Sequence, residues 1–143
     1  MPKRTLPVSV KRATYRDFDL SFKCHPVTGK LLVKKEDEAV KQSVKNLILT
    51  NKYERPFRPE FGGDVRARLF DLFTGFTEAD YQDLISTAIE NYEPRVILTV
   101  DNGLPAVSVN NFNDQNALGI TIKFKVISSL NDLSLDINLN KVR

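Results

Sequence analysis

The backbone of this chain is least free at two places, and together they fix what can lie between them. The first is Arg55-Pro56-Phe57-Arg58-Pro59-Glu60-Phe61-Gly62-Gly63-Asp64. Pro56 and Pro59 each lock φ and remove an amide donor. The residues before them, Arg55 and Arg58, are driven toward extended conformations. Gly62-Gly63 then allows angles that other residues avoid. The second place is Asn91-Tyr92-Glu93-Pro94-Arg95, where Pro94 ends a helical pattern between two opposite charges. Segments with this much fixed geometry and paired charge are more than linkers.

At 143 residues the chain is expected to form one domain. A chain of that size buries enough surface to fold without a disulfide or a metal. The net charge of +3 is spread along the sequence and is too mild to argue for nucleic acid. The single Cys24 has no internal disulfide partner, and beside the single His25 it does not make a metal-ligand cluster. No apolar run approaches the ~20 residues of a membrane span, and the N-terminus lacks the apolar stretch of a signal peptide. No cofactor, metal, small-molecule substrate, nucleic acid or membrane is therefore expected as a ligand.

Residues 1–14 carry Lys3, Arg4, Lys11 and Arg12 without an apolar pattern and read as a basic arm, leaving 15–143 as the domain. Phe18, Leu20 and Phe22 alternate, which predicts a short strand packed on the domain. A turn at Thr28-Gly29 and apolar Leu31-Leu32-Val33 would complete a hairpin. Val40, Val44, Leu47 and Ile48 predict a helix over 36–50, with Glu36, Asp37 and Glu38 suited to its N-terminal dipole. Residues 51–63 are a long loop in which Phe57 and Phe61 are expected to bury and act as anchors.

A short helix over 64–73 follows, with Val65, Leu69, Leu72 and Phe73 inward and Arg66 and Arg68 outward. A further helix starts from Thr77 as N-cap and runs to Tyr92 on an apolar stripe. After Pro94 the period switches to two. Residues 96–100 read as a buried strand, Asp101-Asn102-Gly103 as a turn, and 106–109 as a strand. A polar loop at 111–116 leads to the longest strand, 118–126, with Ile120, Ile122, Phe124 and Val126 on one face. A last extended segment holds Leu133, Leu135, Ile137 and Leu139. The expected class is α+β: an extended N-terminal segment, about three helices, then a C-terminal antiparallel β-meander.

The first motif and the Glu-Pro-Arg triplet, in this order around two helices, resemble the gene-25-type baseplate wedge proteins of contractile-tailed phages. That family includes the sheath-initiator subunit of type VI secretion systems. The resemblance covers roughly residues 35–130. It implies a non-enzymatic structural subunit in the tail baseplate of a virion, assembled in the host cytoplasm. It also implies docking through Glu93, Pro94 and Arg95 onto the helical core bundle of the wedge, with Arg55, Pro56, Phe57, Pro59, Glu60, Phe61 and Gly62 as a structural loop. A sheet that takes up arms of the tail sheath by strand exchange is implied as well. Here that surface falls on Ile120, Ile122, Phe124 and Val126 of 118–126, with the tail 133–139 beside it. Lys123 and Lys125 on the opposite face discourage unwanted pairing. The isolated chain is expected to be a monomer, present in multiple copies in the assembled baseplate.

From the residues alone, the charged triplet has two readings. Glu93 and Arg95 can pair inside the domain, with Arg55 or Glu60 as further partners, and pin the corner. Alternatively they can face a partner chain, with Pro94 reducing the ordering cost. Two other functions stand beside the phage baseplate. One is a type VI secretion sheath initiator. The other is a peptidoglycan hydrolase, because the family is often labelled lysozyme-like and Glu54, Glu60, Asp64 and Glu93 supply carboxylates on paper. No nucleophile elbow, phosphate loop or metal cluster accompanies them.

Overall fold

In the computed structural model, residues 15–71, 75–100, 103–112, 116–129 and 131–141 are described. The basic arm 1–14 lies outside them, as do Leu72, Phe73 and the Asp101-Asn102 part of the predicted turn. The elements are β1 (Arg16–Phe18), β2 (Val33–Lys35), α1 (Glu36–Leu49), α2 (Gly75–Tyr92), β3 (Val96–Leu98), β4 (Val107–Phe112), β5 (Ala117–Val126) and β6 (Asp132–Asn140). This is an α+β arrangement with antiparallel sheets, and two helices among the described residues rather than about three.

β5 is the centre of the main sheet. It pairs antiparallel with β6 from Ala117↔Asn140 to Lys125↔Asp132. It also pairs with β4 from Val107↔Ile122 to Phe112↔Ala117, and with β3 from Val96↔Val126 to Leu98↔Phe124. Since β6 occupies one edge of β5, β4 and β3 share the other, end to end. So β4-β5-β6 is a meander, and β3 extends the line of β4 instead of forming its own layer. The outer edge of β6 is unpaired among the described residues. Both helices cover one face, α1 reaching β6 and α2 reaching β3 and β4.

The alternating side chains explain the sheet. Ile120, Ile122, Phe124 and Val126 are buried against Val40, Val44 and Ile48 of α1 and Ile85 and Ile89 of α2. Each helix brings an i, i+4 stripe to a pleated face, so one core forms between two layers. On the opposite face, Thr121 donates to Asp136 at 2.7 Å and Lys125 pairs with Asp132 at 3.1 Å.

Four local expectations are corrected. Val65 and Leu69 do reach the core, but the described part of the predicted helix, 64–71, is not helical. Asp64 sits at φ 51°, and the chain advances by tight turns (Leu69 N to Arg66 O, Asp71 N to Arg68 O) in place of i to i−4 bonds. α2 begins at Gly75, so Thr77 lies in its first turn and is not the N-cap. β4 runs through Asn111 to Phe112, into the predicted polar loop. Ile97 is exposed opposite buried Val96, and the strand ends at Leu98, which leaves Val100 exposed beyond it.

The hairpin forms as β1 with β2, Phe18 opposite Val33, but Phe18, Leu20 and Phe22 are 59%, 52% and 67% exposed and do not pack on the core. Alternation stops after Phe18. The Asp19 carboxylate accepts from Ser21 N at 2.9 Å, and Phe22 turns to φ 52°, which ends the strand. The hairpin is held instead through Gln42, whose amide donates to Phe18 O at 2.7 Å.

α1 has no side-chain N-cap, but Asp37 in its first turn accepts from Ser129 Oγ at 2.7 Å and Asn131 Nδ2 at 2.9 Å. These bonds hold its carboxyl below the ordinary value and tie the helix start to the β5–β6 turn. Asp37→Ala is expected to cost about 1–2 kcal/mol in urea unfolding, the usual size for losing charge-assisted bonds at a surface. A change of a few tenths would show that the tie adds nothing to stability.

Candidate assembly interfaces

The Glu93-Pro94-Arg95 corner is built from both sides of the chain turn. Glu93 N closes the last turn of α2 on Ile89 O at 2.8 Å, and Val96 N returns to Glu93 O at 3.1 Å. Ile127 N then bonds Arg95 O at 3.0 Å, which locks the corner to the end of β5. Pro94 needs no donor here and stands exposed.

Glu93 is buried, at 3% exposure, yet fully bonded. Arg95 reaches it with two guanidinium nitrogens, Nε to Oε1 at 2.5 Å and Nη2 to Oε2 at 2.7 Å. Ser43 Oγ of α1 donates to Oε2 at 2.6 Å. Burial pushes the Glu93 carboxyl up, but the bonds from Arg95 and Ser43 outweigh it and hold it below the ordinary carboxylate value. Glu93 in turn raises the Arg95 guanidinium, which lies 5.2 Å over the ring of Tyr15. One third of the Arg95 side chain remains exposed. Of the partners considered from sequence, neither Arg55 nor Glu60 joins this pair; Ser43, fifty positions away, does.

The 51–63 loop folds back on itself. Tyr53 N bonds Pro59 O at 2.7 Å, and the Glu54 carboxylate accepts from Asn51 N at 2.8 Å. Phe61 anchors the loop, tilted against Tyr92 at 5.1 Å with the Arg55 guanidinium 4.0 Å over its ring. Tyr92 Oη donates to Glu60 O at 2.9 Å. Gly62 and Gly63 then bring the chain hard against the end of α1, where Gly63 N donates to Leu47 O at 2.9 Å. Phe57 is the correction in this motif. It is fully exposed, because the turn from Arg55 to Arg58 directs it away from the side that Phe61 packs on.

The two motifs therefore meet. A cleft of roughly 370 Å³ is lined by Asp17, Ser43, Arg55, Phe61, Pro94 and Arg95, among others. Sequence spacing gave no sign of Ser43 in this cleft or of Tyr15 beneath Arg95. Tyr92 belonged to the apolar stripe, and only its half-exposed position shows its hydroxyl bonding the loop.

Ile120, Ile122, Phe124 and Val126 lie elsewhere, inside the core, on a strand bonded along both edges. In the folded domain they are not an open surface for another strand. The unpaired edge beside them belongs to β6, which carries Leu133, Leu135 and Leu139.

Residues 34–130 match the family model for baseplate wedge protein gp25. The chain belongs to the gp25 baseplate wedge family. It is 35% identical over 95 residues to the baseplate wedge protein gp25 of Enterobacteria phage T4, an alignment spanning 66% of this chain and 67% of that protein. Its fold resembles a putative tail lysozyme from Geobacter sulfurreducens, with a TM-score of 0.64 and 22% identity, covering 75% of this chain and 92% of the other. It also resembles a chain of the anti-feeding prophage baseplate, with a TM-score of 0.59 and 20% identity over 91% of this chain and 88% of the other. Both solved structures share the fold with this gp25-family chain.

Within the family fold, two of the carboxylates considered for hydrolysis, Glu93 and Glu54, are engaged inside the domain. Glu93 is closed off by Arg95 and Ser43 and held low, whereas a general acid must be held high. The Glu54 carboxylate accepts a backbone bond from Asn51 within its own loop.

Proposed function

We propose that this gp25-family chain is a non-enzymatic structural subunit of a contractile phage tail baseplate that joins the wedge core to the sheath. The observation that carries the reading is the corner at Glu93-Pro94-Arg95. A buried carboxylate fixes the Arg95 guanidinium bidentately, while Pro94 is exposed and one third of the Arg95 side chain stays open to solvent at a helix-to-strand joint. A cation held in place before binding loses little freedom when a partner carboxylate or carbonyl arrives. The corner thus serves both readings of the triplet: Glu93 works inward and Arg95 faces both ways. The neighbouring loop from Arg55 to Gly62 walls the same cleft and stiffens the docking site.

Sheath contact is assigned to the outer edge of β6. Its outer backbone groups are unpaired among the described residues and can accept an added strand, and Ile120, Ile122, Phe124 and Val126 act behind it by anchoring β5, on which β6 is laid. The likeness to the T4 protein favours a phage tail over a type VI secretion sheath initiator.

The test is co-purification with the wedge-core and sheath proteins of the same tail. Arg95→Lys is the informative variant, since it keeps the charge and removes the planar two-nitrogen contact. Wild type is expected to hold both partners, and Arg95→Lys to lose the wedge core while keeping sheath. Wild type holding neither partner would overturn the reading. Clearing of a peptidoglycan suspension by the purified wild type, lost in Glu60→Gln, would replace it with hydrolysis.

A further inference from the structure

The tip of the 51–63 loop is expensive in a way that the domain itself does not explain. Phe57 takes φ 67° and Tyr53 takes φ 64°, in the left-handed region that bulky side chains avoid. Phe57 is nevertheless entirely exposed, and Tyr53 is 77% exposed. Glycine or asparagine would adopt the same angles at less cost. The conformation is imposed by the frame: Pro56 and Pro59 fix their own φ, Tyr53 N is bonded to Pro59 O, and Arg58 N is bonded to Arg55 O. A large apolar ring is thus held outward, in one orientation, on a loop that is already ordered. Beside it, Arg58 is exposed and has no ion pair among the described residues.

We propose that Phe57, with Arg58, is a preformed plug that enters an apolar socket with a carboxylate on its rim, on a neighbouring protein subunit of the baseplate. The proposal rests on the baseplate reading above and names the chemistry of one contact within it. An aromatic ring and an arginine are the side chains that most often dominate protein interfaces, because each buries a large area with few rotors or makes a directed ionic bond. A rigid loop adds affinity by removing ordering cost. A protein socket suits the tip better than a membrane surface. A single ring offers little area for lipid, and the tip sets Glu54 and Glu60 beside Arg55 and Arg58 in place of the basic cluster that anionic headgroups attract.

The deciding variant is Phe57→Gly, which releases the left-handed strain while deleting the plug. Its thermal unfolding midpoint should not fall below that of the wild type. Its binding to one purified wedge protein of the same tail should weaken about 30-fold, the loss expected for an interface anchor. Arg58→Glu should weaken the same complex. A benzophenone photo-crosslinker at position 57 in assembled tails should label that same subunit.

If Phe57→Gly binds every wedge and sheath protein as the wild type does, and position 57 labels none of them, the plug is wrong although the baseplate reading stands. A lowered midpoint in Phe57→Gly would make the ring a folding element and overturn the plug. Binding to phosphatidylglycerol vesicles that is lost in Phe57→Gly would replace the protein socket with a membrane. Purified tails that lack this chain would remove the baseplate reading itself.

Discussion

Gly62→Ala is expected to destabilise the domain by about 4 kcal/mol, the sum of a strained backbone and a blocked approach. Gly62 has φ 132°, a conformation closed to residues with a Cβ. A Cβ built there would lie 2.4 Å from Thr50 O and 3.0 Å from Thr50 C, both backbone atoms at the end of α1. Neither can swing aside as a side chain would. The next residue is as tightly placed, with a Cβ on Gly63 falling 2.9 Å from Ile48 Cα. The loop must therefore lift from α1, and it would take with it the Gly63 N bond to Leu47 O and the Phe61 contact with Tyr92.

Gly29→Ala is the matched control. Gly29 also has positive φ, at 64°, but nothing lies within 4 Å of the point where an alanine methyl would stand, so only the strain of about 1 kcal/mol applies. Urea unfolding of the two variants separates the terms. Equal losses would mean that the close approach to α1 carries no energy.

Arg95→Ala is expected to cost about 3 kcal/mol at neutral pH, the low end for breaking a buried ion pair, because the Arg95 side chain is one third exposed. The loss comes from the carboxylate left behind. Glu93 stays buried, with Ser43 as its remaining side-chain partner. The signature of this cause is the pH dependence. In the wild type, the Glu93 pKa is depressed in the folded state. Its contribution is complete above the ordinary carboxylate value of 4.5 and is lost as pH falls through the lower folded value. In Arg95→Ala, burial raises the folded pKa above the unfolded one. The sign reverses, so the variant is relatively most stable in acid and weakens as pH rises from about 4.5. Stability curves from about pH 3 to 8 read this directly. Parallel curves for the two proteins would show that Glu93 is not stranded by the substitution.

Arg95→Ala therefore confounds any binding assay made with it at neutral pH, since a destabilised corner and a lost contact look alike. Arg95→Lys, assayed with its unfolding curve alongside, keeps them apart. Both large effects fall on the two motifs where backbone freedom is lowest.

Much of the fold was legible because it is local. The i, i+4 spacing of Val40, Val44 and Ile48 defines α1, and the alternation of Ile120, Ile122, Phe124 and Val126 defines both β5 and its buried face. The constrained corner at Pro94 could be read the same way, as could the turn at Gly29, because proline and glycine act on their own φ angles. Alternation in Phe18, Leu20 and Phe22 misled for the converse reason: a nearby Asp19 carboxylate can bend a short strand before its pattern finds a core.

Tertiary structure decided everything that depends on which distant groups approach. Phe57 and Phe61 are the same residue type in one motif, yet one is outside and the other packs on Tyr92, since the turn between them sets the direction. Glu93 could have paired with any of several cations, and α1 settled the matter by bringing Ser43 to the same carboxylate as Arg95. Strand spacing left the open edge of the sheet undecided, and only the pairing of β5 on both sides shows that the outer edge of β6 is unpaired among the described residues. Sequence period fixes which face of an element is apolar, whereas neighbours in space fix which edges and charges remain for others.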